Sequence, residues 1–417
     1  MKNFNIPLIY RSEFITQVKS LRDAADPKRK DYTPTRLDFG SVEILLARHF
    51  GFCYGVKNAI ELSYNAIEEN PDKRIFLLSE MIHNPEVNAD LKSRGVKFIF
   101  EPDGRQAIAW NQLNKDDIFI IPAFGTTREI ENIINRIKPV TLKYNTTCPF
   151  VEKVWNRAYE IGMKGFTIIV HGKYYHEETK ATYSHSSMNS PTIIILNLSE
   201  AKIIGGYILG EISKEYFLKY FEGKYSEGFE PEKHLEKIGV VNQTTMLASE
   251  TQAISDYLSG VIKIKYGEKN LSEHFADTRD TLCYATHDNQ NATYSLLNEN
   301  ADLAIVVGGY NSSNTTHIVE LCSEKVPTYF ISSAEKILSD NKIMHFDINK
   351  KEEIITENFL NRSKKPEIIL TSGASCPDAI VEIVMNKIVS LFDYSRSQEE
   401  ILSDLKIYYQ NSKTDNY

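Results

Sequence analysis

The sequence predicts an α/β protein, and three observations support this fold class. Short continuous apolar runs alternate along the chain with segments whose apolar residues recur at helical spacing. Such runs are typical of parallel strands that are covered by helices on both faces, and their alternation with helices is typical of the α/β class. The chain has 417 residues, which is enough for two or three domains.

The predicted strands are the apolar runs, and the predicted helices lie between them. The first strand covers residues 42–47 and ends before a glycine-containing turn. The further predicted strands cover residues 74–78, 96–100, 118–121, 140–142, 166–170, 192–196, 239–241, 303–307, 328–331 and 367–370. Residues 1–40 are polar and mixed in charge, so we expect an extension with one helix. Residues 200–236 are rich in Tyr, Glu and Lys, and we expect them to form a helical, peripheral insertion.

We expect three small α/β domains in a pseudo-threefold arrangement around a shared axis. The predicted segments are an N-terminal extension at 1–41, α/β domains at 42–145, 146–281 and 282–390, and a C-terminal tail at 391–417. The 200–236 insertion belongs to the middle domain. Each predicted domain carries one cysteine at a comparable turn, and this repetition is the reason for expecting a shared centre.

Composition and charge argue against several functional classes. The formal net charge is −8, and no basic stripe of the kind that binds nucleic acid is present. No apolar run approaches the ~18 residues that a membrane-spanning helix needs. The first residues lack the apolar core of a signal peptide and include acidic side chains, so we expect a cytoplasmic protein. Five cysteines fit a reducing compartment with thiols kept for metal binding or catalysis.

Three cysteines share a turn between a strand pattern and a helical pattern. Cys53 lies between Gly51 and Gly55, Cys148 precedes Pro149, and Cys283 precedes a further helical pattern. Helix N-termini favour negative charge, including a thiolate. Three thiolates at one point suit an iron–sulfur cluster with one open iron, or a zinc site that lacks one ligand. The spacing leaves open that each is a buried structural thiol, because no Cys-x-x-Cys signature accompanies them.

Polar turns follow several predicted strands, at the edge where ligands bind in parallel sheets. His83 follows one strand, and His176 with Glu178 follows another. The segments 308–316 and 371–378 supply Ser, Asn and Gly at the entrances of helices, which suits phosphate binding. The alternatives are a surface histidine, a capping carboxylate and ordinary helix caps.

Eight motifs resemble those of one known family. In chain order they are GFCYGV, IHNPEVN, TTCPFV, HEET, NQTTM, DTLCYAT, NSSNTTH and GASCPD. Their order and identity resemble the LytB family of hydroxymethylbutenyl diphosphate reductases, over about residues 44–390. The resemblance implies reduction of 4-hydroxy-3-methylbut-2-enyl diphosphate to isopentenyl and dimethylallyl diphosphate. This reaction is the last step of the non-mevalonate pathway of isoprenoid biosynthesis.

The resemblance also implies a site, which can be transferred residue by residue. One 4Fe-4S cluster would be bound by Cys53, Cys148 and Cys283. The residues that match diphosphate contacts are His83, His176, Ser312, Ser313, Asn314 and Ser375. Thr244 matches a threonine beside the substrate hydroxyl, and Glu178 matches the glutamate that relays protons.

One departure from the pattern of many bacterial members lies at Phe124. Those members have a histidine in an Ala-His-Gly turn that contacts the diphosphate, whereas this sequence reads Pro-Ala-Phe-Gly-Thr. The plant and cyanobacterial branch shares this phenylalanine, the HEET motif and a long insertion before NQTTM, so we place the chain near that branch. Cys322 lies on the apolar side of a predicted helix, as a core thiol would. Cys376 lies in a substrate turn and matches no cysteine ligand.

The implied mechanism is reductive loss of an allylic hydroxyl. The open iron would act as a Lewis acid for that hydroxyl, and Glu178 would supply the proton with which it leaves as water. His176 would be cationic beside the diphosphate, because nearby anions favour the charged imidazole. Since a cluster passes electrons singly, reduced ferredoxin or flavodoxin is the expected electron donor, and no nicotinamide fingerprint is present in the sequence.

Two alternative classes remain beside this interpretation. A three-cysteine cluster in an α/β protein also resembles quinolinate synthase in outline, or a hydro-lyase. A non-enzymatic iron–sulfur redox sensor is the second class. The diphosphate-type turns and the HEET motif argue against both, because neither class needs them in this combination.

Overall fold

The computed structural model describes residues 4–137, 144–276, 278, 281, 283–362 and 364–414. It divides into two compact units, each assembled from separate stretches of the chain. Unit 1 comprises Met1–Lys57, His83–Glu86 and His287–Tyr417, and unit 2 comprises Asn58–Ile82 and Val87–Thr286. The first and the last described segments therefore belong to the same unit.

The helices are defined as follows. They are α1 (Glu13–Ala25), α2 (Tyr54–Glu69), α3 (Pro85–Ser93), α4 (Arg128–Ile137), α5 (Pro149–Gly162), α6 (Glu177–Ser187), α7 (Leu198–Leu209), α8 (Lys214–Tyr220), α9 (Pro231–His234), α10 (Ala248–Tyr266), α11 (Leu271–His274), α12 (Tyr284–Leu296), α13 (Ser313–Ser323), α14 (Asp378–Val389) and α15 (Gln398–Thr414). Among the described residues, none of these helices is long and apolar enough to cross a membrane.

The strands are mostly short, as expected for small parallel sheets. They are β1 (Thr35–Asp38), β2 (Glu43–Leu46), β3 (Ile75–Leu77), β4 (Lys97–Phe98), β5 (Ile118–Ile120), β6 (Thr167–His171), β7 (Thr192–Ile195), β8 (Ile238–Asn242), β9 (Phe275–Ala276), β10 (Leu303–Val307), β11 (Thr328–Ile331), β12 (Lys342–Asp347), β13 (Glu352–Glu357) and β14 (Glu367–Ser372).

Unit 1 is built on one five-stranded sheet in the order β1-β2-β14-β10-β11. All of its pairs are parallel except β1 with β2. Its central strands are buried on both faces, as Leu45, Ile305 and Ile369 show with 0% exposure. Because β2, β14 and β10 run in the same direction, the turns that follow them lie at one edge of the sheet.

Unit 2 contains two parallel sheets, in the orders β4-β3-β5 and β7-β6-β8-β9. In the second sheet β6 pairs with β8, and the register places His171 opposite Asn242. The carboxyl ends of these two strands are therefore adjacent. The segment that contains His176 and the segment that contains Thr244 both start from this edge.

The α/β class predicted from the sequence is confirmed, and most of the predicted strands are present. Four strands were missed, namely β1, β9 and the β12–β13 hairpin. The hairpin strands are largely exposed or half-buried, so they lack the continuous apolar run on which the prediction relied. The predicted strand at 140–142 lies outside the described residues. The three-domain boundaries and the threefold arrangement stay predictions.

The 200–236 insertion is helical, as predicted, but it is not peripheral. It contains most of α7 together with α8 and α9, and its side chains Phe217 and Phe221 have 0% exposure. They pack in one apolar cluster with Ile204 of α7 and Leu258 of α10. Aromatic residues on a polar-looking segment thus complete the core of unit 2, because each buries a large apolar surface.

Candidate functional site

The Cys53 turn of unit 1 joins the end of β2 to the start of α2. The Cys53 N–H donates to the carbonyl of Ala374 at 3.2 Å, which ties this turn to the turn after β14. Gly51 has a φ of +81°, and a Cβ there would overlap Asp378 Oδ1. Both the left-handed backbone and the close approach require glycine at this position.

The Cys53 sulfur lies in an environment with opposing effects on its charge. Burial raises the pKa of the thiol, whereas the N–H groups of Val56 and Gly55 at the start of α2 donate to the sulfur and lower it. The charge of Lys57 acts in the same direction as these donors. Donors of this kind stabilise a thiolate more than a thiol, so the turn suits a metal-bound sulfur.

In unit 2, Cys148 and Cys283 each precede a helix directly. Cys148 is the N-cap of α5, and its N–H donates to the Ala123 carbonyl at 2.9 Å. Cys283 is buried and immediately precedes α12. The rings of Phe150 and Tyr284 meet edge to face with centroids 4.8 Å apart, so the two cysteine turns are neighbours.

Each of these three turns has the chemistry that suits a cysteine ligand of an iron–sulfur cluster. All five cysteines are thiols rather than disulfides, and three of them stand at helix entrances, where a thiolate is favoured. Within the described residues, no three His, Cys, Asp or Glu side chains are grouped closely enough to hold a metal ion. Cys53 belongs to unit 1, whereas Cys148 and Cys283 belong to unit 2.

Unit 1 brings together three of the polar turns predicted to bind diphosphate. Asn314 Oδ1 accepts hydrogen bonds from the Ala374 N–H at 2.9 Å and from Asn289 Nδ2 at 3.4 Å. Ser375 Oγ donates to the carbonyl of His83 at 3.2 Å. Ser312 caps α13 by accepting the Thr315 N–H. These links join the turn at residue 83 and the entrances of α13 and α14.

One atom of this cradle has no partner within the part of the chain that the structure describes. Asn314 is 4% exposed, and its Nδ2 makes no hydrogen bond. A buried donor without an acceptor costs about 1–3 kcal/mol, so such atoms are uncommon in native structures. A ligand oxygen at this position would satisfy it. The orphaned donor is therefore available to an acceptor that the described residues do not supply.

In unit 2, His176 caps α6 through its imidazole. Its Nδ1 accepts the Glu178 N–H at 3.2 Å. An acceptor role for Nδ1 corresponds to a neutral ring with its proton on Nε2. The expectation of a cationic His176 beside a bound diphosphate stays a prediction. Phe124 meets this ring edge to face, with centroids 5.7 Å apart.

Glu178 and Thr244 are in direct contact. Glu178 is 2% exposed, and its Oε1 accepts a hydrogen bond from the Thr244 N–H. Gln243, next to Thr244, accepts hydrogen bonds from the Lys173 N–H at 3.1 Å and the Thr179 hydroxyl at 3.0 Å. The turns after β6 and β8 are thus joined, and a buried carboxyl group is held by the backbone of the Thr244 turn.

Comparison with known protein families decides the relationship of the chain. A family model described as LytB protein matches residues 44–389. The chain belongs to the LytB family.

Curated relatives of this LytB chain match most of its length. A 4-hydroxy-3-methylbut-2-enyl diphosphate reductase of Microcystis aeruginosa is 42% identical, covering 85% of this chain and 86% of that protein. Another of Trichodesmium erythraeum is 40% identical, covering 92% of this chain and 90% of that protein. Both organisms are cyanobacteria, which confirms the branch near which the sequence was placed.

Solved structures share the fold of this LytB chain. The E-1-hydroxy-2-methyl-but-2-enyl-4-diphosphate reductase of Plasmodium falciparum superposes with a TM-score of 0.61 at 22% identity. The match covers 88% of this chain and 98% of that chain. The likeness concerns the fold, and it agrees with the α/β class.

The remaining two cysteines of this LytB chain are core thiols. Cys322 has 0% exposure on α13, and burial raises its pKa to about 12. Cys376 also has 0% exposure, and burial raises its pKa strongly. Burial raises the pKa of the Cys53 thiol as well, but there the N–H groups of Val56 and Gly55 oppose the rise.

Sequence reasoning missed two residues that support the site. Asn289 lies on α12 and donates to Asn314, which is 25 residues later in the chain. It is buried, with 6% exposure. Gln243 was noted only as part of a motif. A signal existed for Asn289, because it lies in a polar run, His287 to Gln290, on an otherwise ordinary helix.

Proposed function

We propose that this chain is a 4-hydroxy-3-methylbut-2-enyl diphosphate reductase. Family membership and relatives of that name at about 40% identity over most of the chain support the reaction. The structural observation that carries it is the buried Glu178 carboxyl group, fixed by the Thr244 N–H. The reaction replaces the allylic hydroxyl by hydrogen, consumes two electrons and two protons, and releases water.

The proposed cofactor is one 4Fe-4S cluster, with Cys53, Cys148 and Cys283 as its ligands. Their positions at helix entrances and the N–H donors around Cys53 support this assignment. When bound, the cluster supplies electrons one at a time and leaves one iron for the substrate hydroxyl. The protein residues provide the remaining functions, which are binding, orientation and proton delivery.

The proposed diphosphate contacts are mainly neutral donors. In unit 1, Asn314 Nδ2 would donate to a phosphate oxygen, together with the hydroxyls of Ser312, Ser313 and Ser375 and the side chain of His83. In unit 2, His176 would donate through Nε2–H, because its Nδ1 is occupied as an acceptor. Several fixed donors hold the substrate in one orientation, which lowers the entropic part of the barrier.

Glu178 is the proposed proton donor, and Thr244 the proposed contact of the substrate hydroxyl. A leaving hydroxide is poor, so protonation must accompany its departure. Glu178 is shielded from bulk water, and its position is fixed by a backbone donor from the Thr244 turn. The hydrogen bond thus fixes the position of the Glu178 carboxyl group relative to Thr244.

Reduced ferredoxin or flavodoxin is the proposed electron donor, and the cytoplasm is the proposed location. Delivery of single electrons suits these carriers, and the sequence contains no dinucleotide-binding fingerprint. The first residues carry acidic side chains and lack an apolar core, which supports the location.

A single anaerobic assay tests the proposed function. The purified protein is mixed with 4-hydroxy-3-methylbut-2-enyl diphosphate, dithionite and a viologen, and both isomeric products are quantified. We expect oxidation of the viologen that depends on substrate, with isopentenyl and dimethylallyl diphosphate as products. If a protein that contains its cluster leaves the substrate unchanged, the proposed function is wrong. A hydration product, or no reaction with any small molecule, would favour the hydro-lyase or sensor class.

A further inference from the structure

A lysine from the N-terminal segment reaches the Cys53 turn. Lys19 lies on α1, and its Nζ is 2.8 Å from Oδ1 and 3.0 Å from Oδ2 of Asp378. The same Nζ donates to the carbonyl of Phe50 at 3.1 Å and lies 4.0 Å from the centroid of the Phe50 ring. The ammonium group therefore contacts both sides of the turn that leads to the cysteine.

This contact joins three segments of unit 1 that are distant in sequence. Asp378 is the first residue of α14, where a carboxylate is favoured by the helix dipole. Its Oδ1 occupies the space that a side chain at position 51 would need. The Cys53 N–H is bound to Ala374 of the same turn. Lys19 and Asp378 thus form a clamp across the Phe50–Cys53 segment.

The clamp is partly shielded from solvent. The side chains of Lys19 and Asp378 are 28% and 21% exposed, so their interaction is screened less than that of a fully exposed ion pair. Lys19 makes its contacts with three acceptors and a ring face, which uses the whole donor capacity of an ammonium group. Such a contact restrains the position of the turn and also places a positive charge beside it.

The charge of the clamp lies beside the turn that carries Cys53. Lys19 Nζ is 3.2 Å from the position that a Cβ on Gly51 would take, two residues before Cys53. A positive charge near a cluster stabilises the reduced state, because reduction adds negative charge. A negative charge at the same place has the opposite effect.

We propose that Lys19 is a positioning residue for the Cys53 ligand and, through its charge, raises the reduction potential of the cluster. This inference rests on the proposed function, because it presumes a cluster on Cys53. Nothing in the sequence motifs indicates it, since Lys19 lies outside the family match at residues 44–389. Its effect arises from the contact of α1 with the turn.

The test uses the complete holoprotein and measures the midpoint potential by an anaerobic titration followed by electron paramagnetic resonance. Lys19→Gln should shift the potential to more negative values, and its cluster should be lost to a chelator at least several-fold faster. Lys19→Arg keeps the charge and the donors, so it should restore both properties. Lys28→Gln removes an exposed lysine of the same segment and should change neither.

Asp378→Asn separates positioning from charge. It breaks the ion pair but leaves the charge of Lys19, so cluster loss should again be faster, whereas the potential should shift to more positive values. A purely structural contact would give no shifts of opposite sign in the two variants. If Lys19→Gln does not fold or retains no cluster, the potentials and the rates of cluster loss of Lys19→Arg and Asp378→Asn decide. Lys19→Arg should match the wild type in both, and Asp378→Asn should show a more positive potential and faster loss.

Two results would overturn the inference. The first is a wild-type potential and cluster lifetime in Lys19→Gln, and the second is a shift of the same sign in Asp378→Asn. In either case a wild-type protein that still reduces the diphosphate leaves the proposed function standing. If the wild-type protein binds no cluster, the proposed function itself fails. This result differs from the two variant results above, both of which require a wild-type protein with its cluster.

Discussion

Glu178 and His176 lie two residues apart, yet the structure gives them different tasks. The Glu178 carboxyl group is buried and accepts the Thr244 N–H, whereas the His176 ring accepts the Glu178 N–H through Nδ1. When the Nδ1 of an imidazole accepts a hydrogen bond, only its Nε2–H can donate. These contacts support the proposal that Glu178 is the proton donor and His176 a contact of the substrate.

Replacing Glu178 by glutamine tests this division. Glu178→Gln keeps the size and the acceptor for Thr244 but cannot transfer a proton, so kcat should fall by about 10²–10⁴-fold. Substrate should still bind, visible as a change in the absorption spectrum. The matched variant His176→Asn keeps a capping side chain and removes Nε2, so it should raise KM more than it lowers kcat. Near-normal turnover of Glu178→Gln at saturating substrate would move the role to Thr244 and a bound water.

Asn314 offers a second test at the residue scale. Its Oδ1 is engaged by Ala374, while its buried Nδ2 lacks a partner within the described chain. Asn314→Ala should lower kcat/KM by the loss of a donor to a charged oxygen, about 1.5–3 kcal/mol. Asn314→Asp keeps the acceptor but places a carboxylate beside the diphosphate, so its loss should be larger. Unchanged kcat/KM in the alanine variant, with full iron content, would remove Asn314 from the cradle.

At the scale of elements, the insertion behaves as part of the core. The helix α8 presents Phe217, with 0% exposure, to a cluster that includes Ile204 and Leu258. Its sequence neighbour Tyr216 is 54% exposed. The same short helix therefore contains one residue that supports unit 2 and one that does not, because successive side chains of a helix point in different directions.

A pair of substitutions on α8 measures this difference. Phe217→Ala should lower the free energy of unfolding by about 3–5 kcal/mol, the usual cost of removing a buried phenyl ring. Tyr216→Ala should change it by less than about 1 kcal/mol, as exposed positions usually do. Urea unfolding followed by circular dichroism gives both values. Equal effects of the two substitutions would show that the insertion contributes little packing energy.

At the scale of the whole molecule, segments from distant parts of the chain meet. In unit 1 the N-terminal β1 and β2 pair in one sheet with the late strand β14, and α1 packs against α15. The N-terminal segment is therefore part of a folded unit and contributes Lys19 to the Cys53 turn. The sequence-based view of residues 1–41 as an extension did not include this packing.

The cysteine assignment is the prediction that concerns the whole chain. Cys53→Ser, Cys148→Ser and Cys283→Ser should each lose most of the iron content and the visible absorbance, because each removes one thiolate ligand. The buried thiols provide the controls, since Cys322→Ser and Cys376→Ser should keep the cluster. Iron analysis and spectra of the five anaerobically purified variants decide. Loss of the cluster in Cys376→Ser alone among the controls would contradict the ligand set.

The sequence by itself determined most of the buried parallel strands, the cysteine turns and the family. Buried parallel strands such as β10 and β11 are continuous apolar runs, so their bounds at Leu303–Val307 and Thr328–Ile331 were predicted correctly. The candidate site residues were found in the turns after such strands, because strand ends and helix entrances lie at one edge of a sheet. Motif order along the chain needs no knowledge of contacts.

Only the tertiary structure decided the contacts between these local features. The Thr244 N–H reaches Glu178 across 66 residues of sequence, and Lys19 reaches Asp378 across 359. The direction in which the His176 ring can donate depends on which group its Nδ1 meets, and the role of the insertion depends on where Phe217 is buried. Hydrophobic periodicity indicates which faces of a helix or strand are buried. The charge state of a side chain and the strength of its packing depend on partners that only the folded chain brings together.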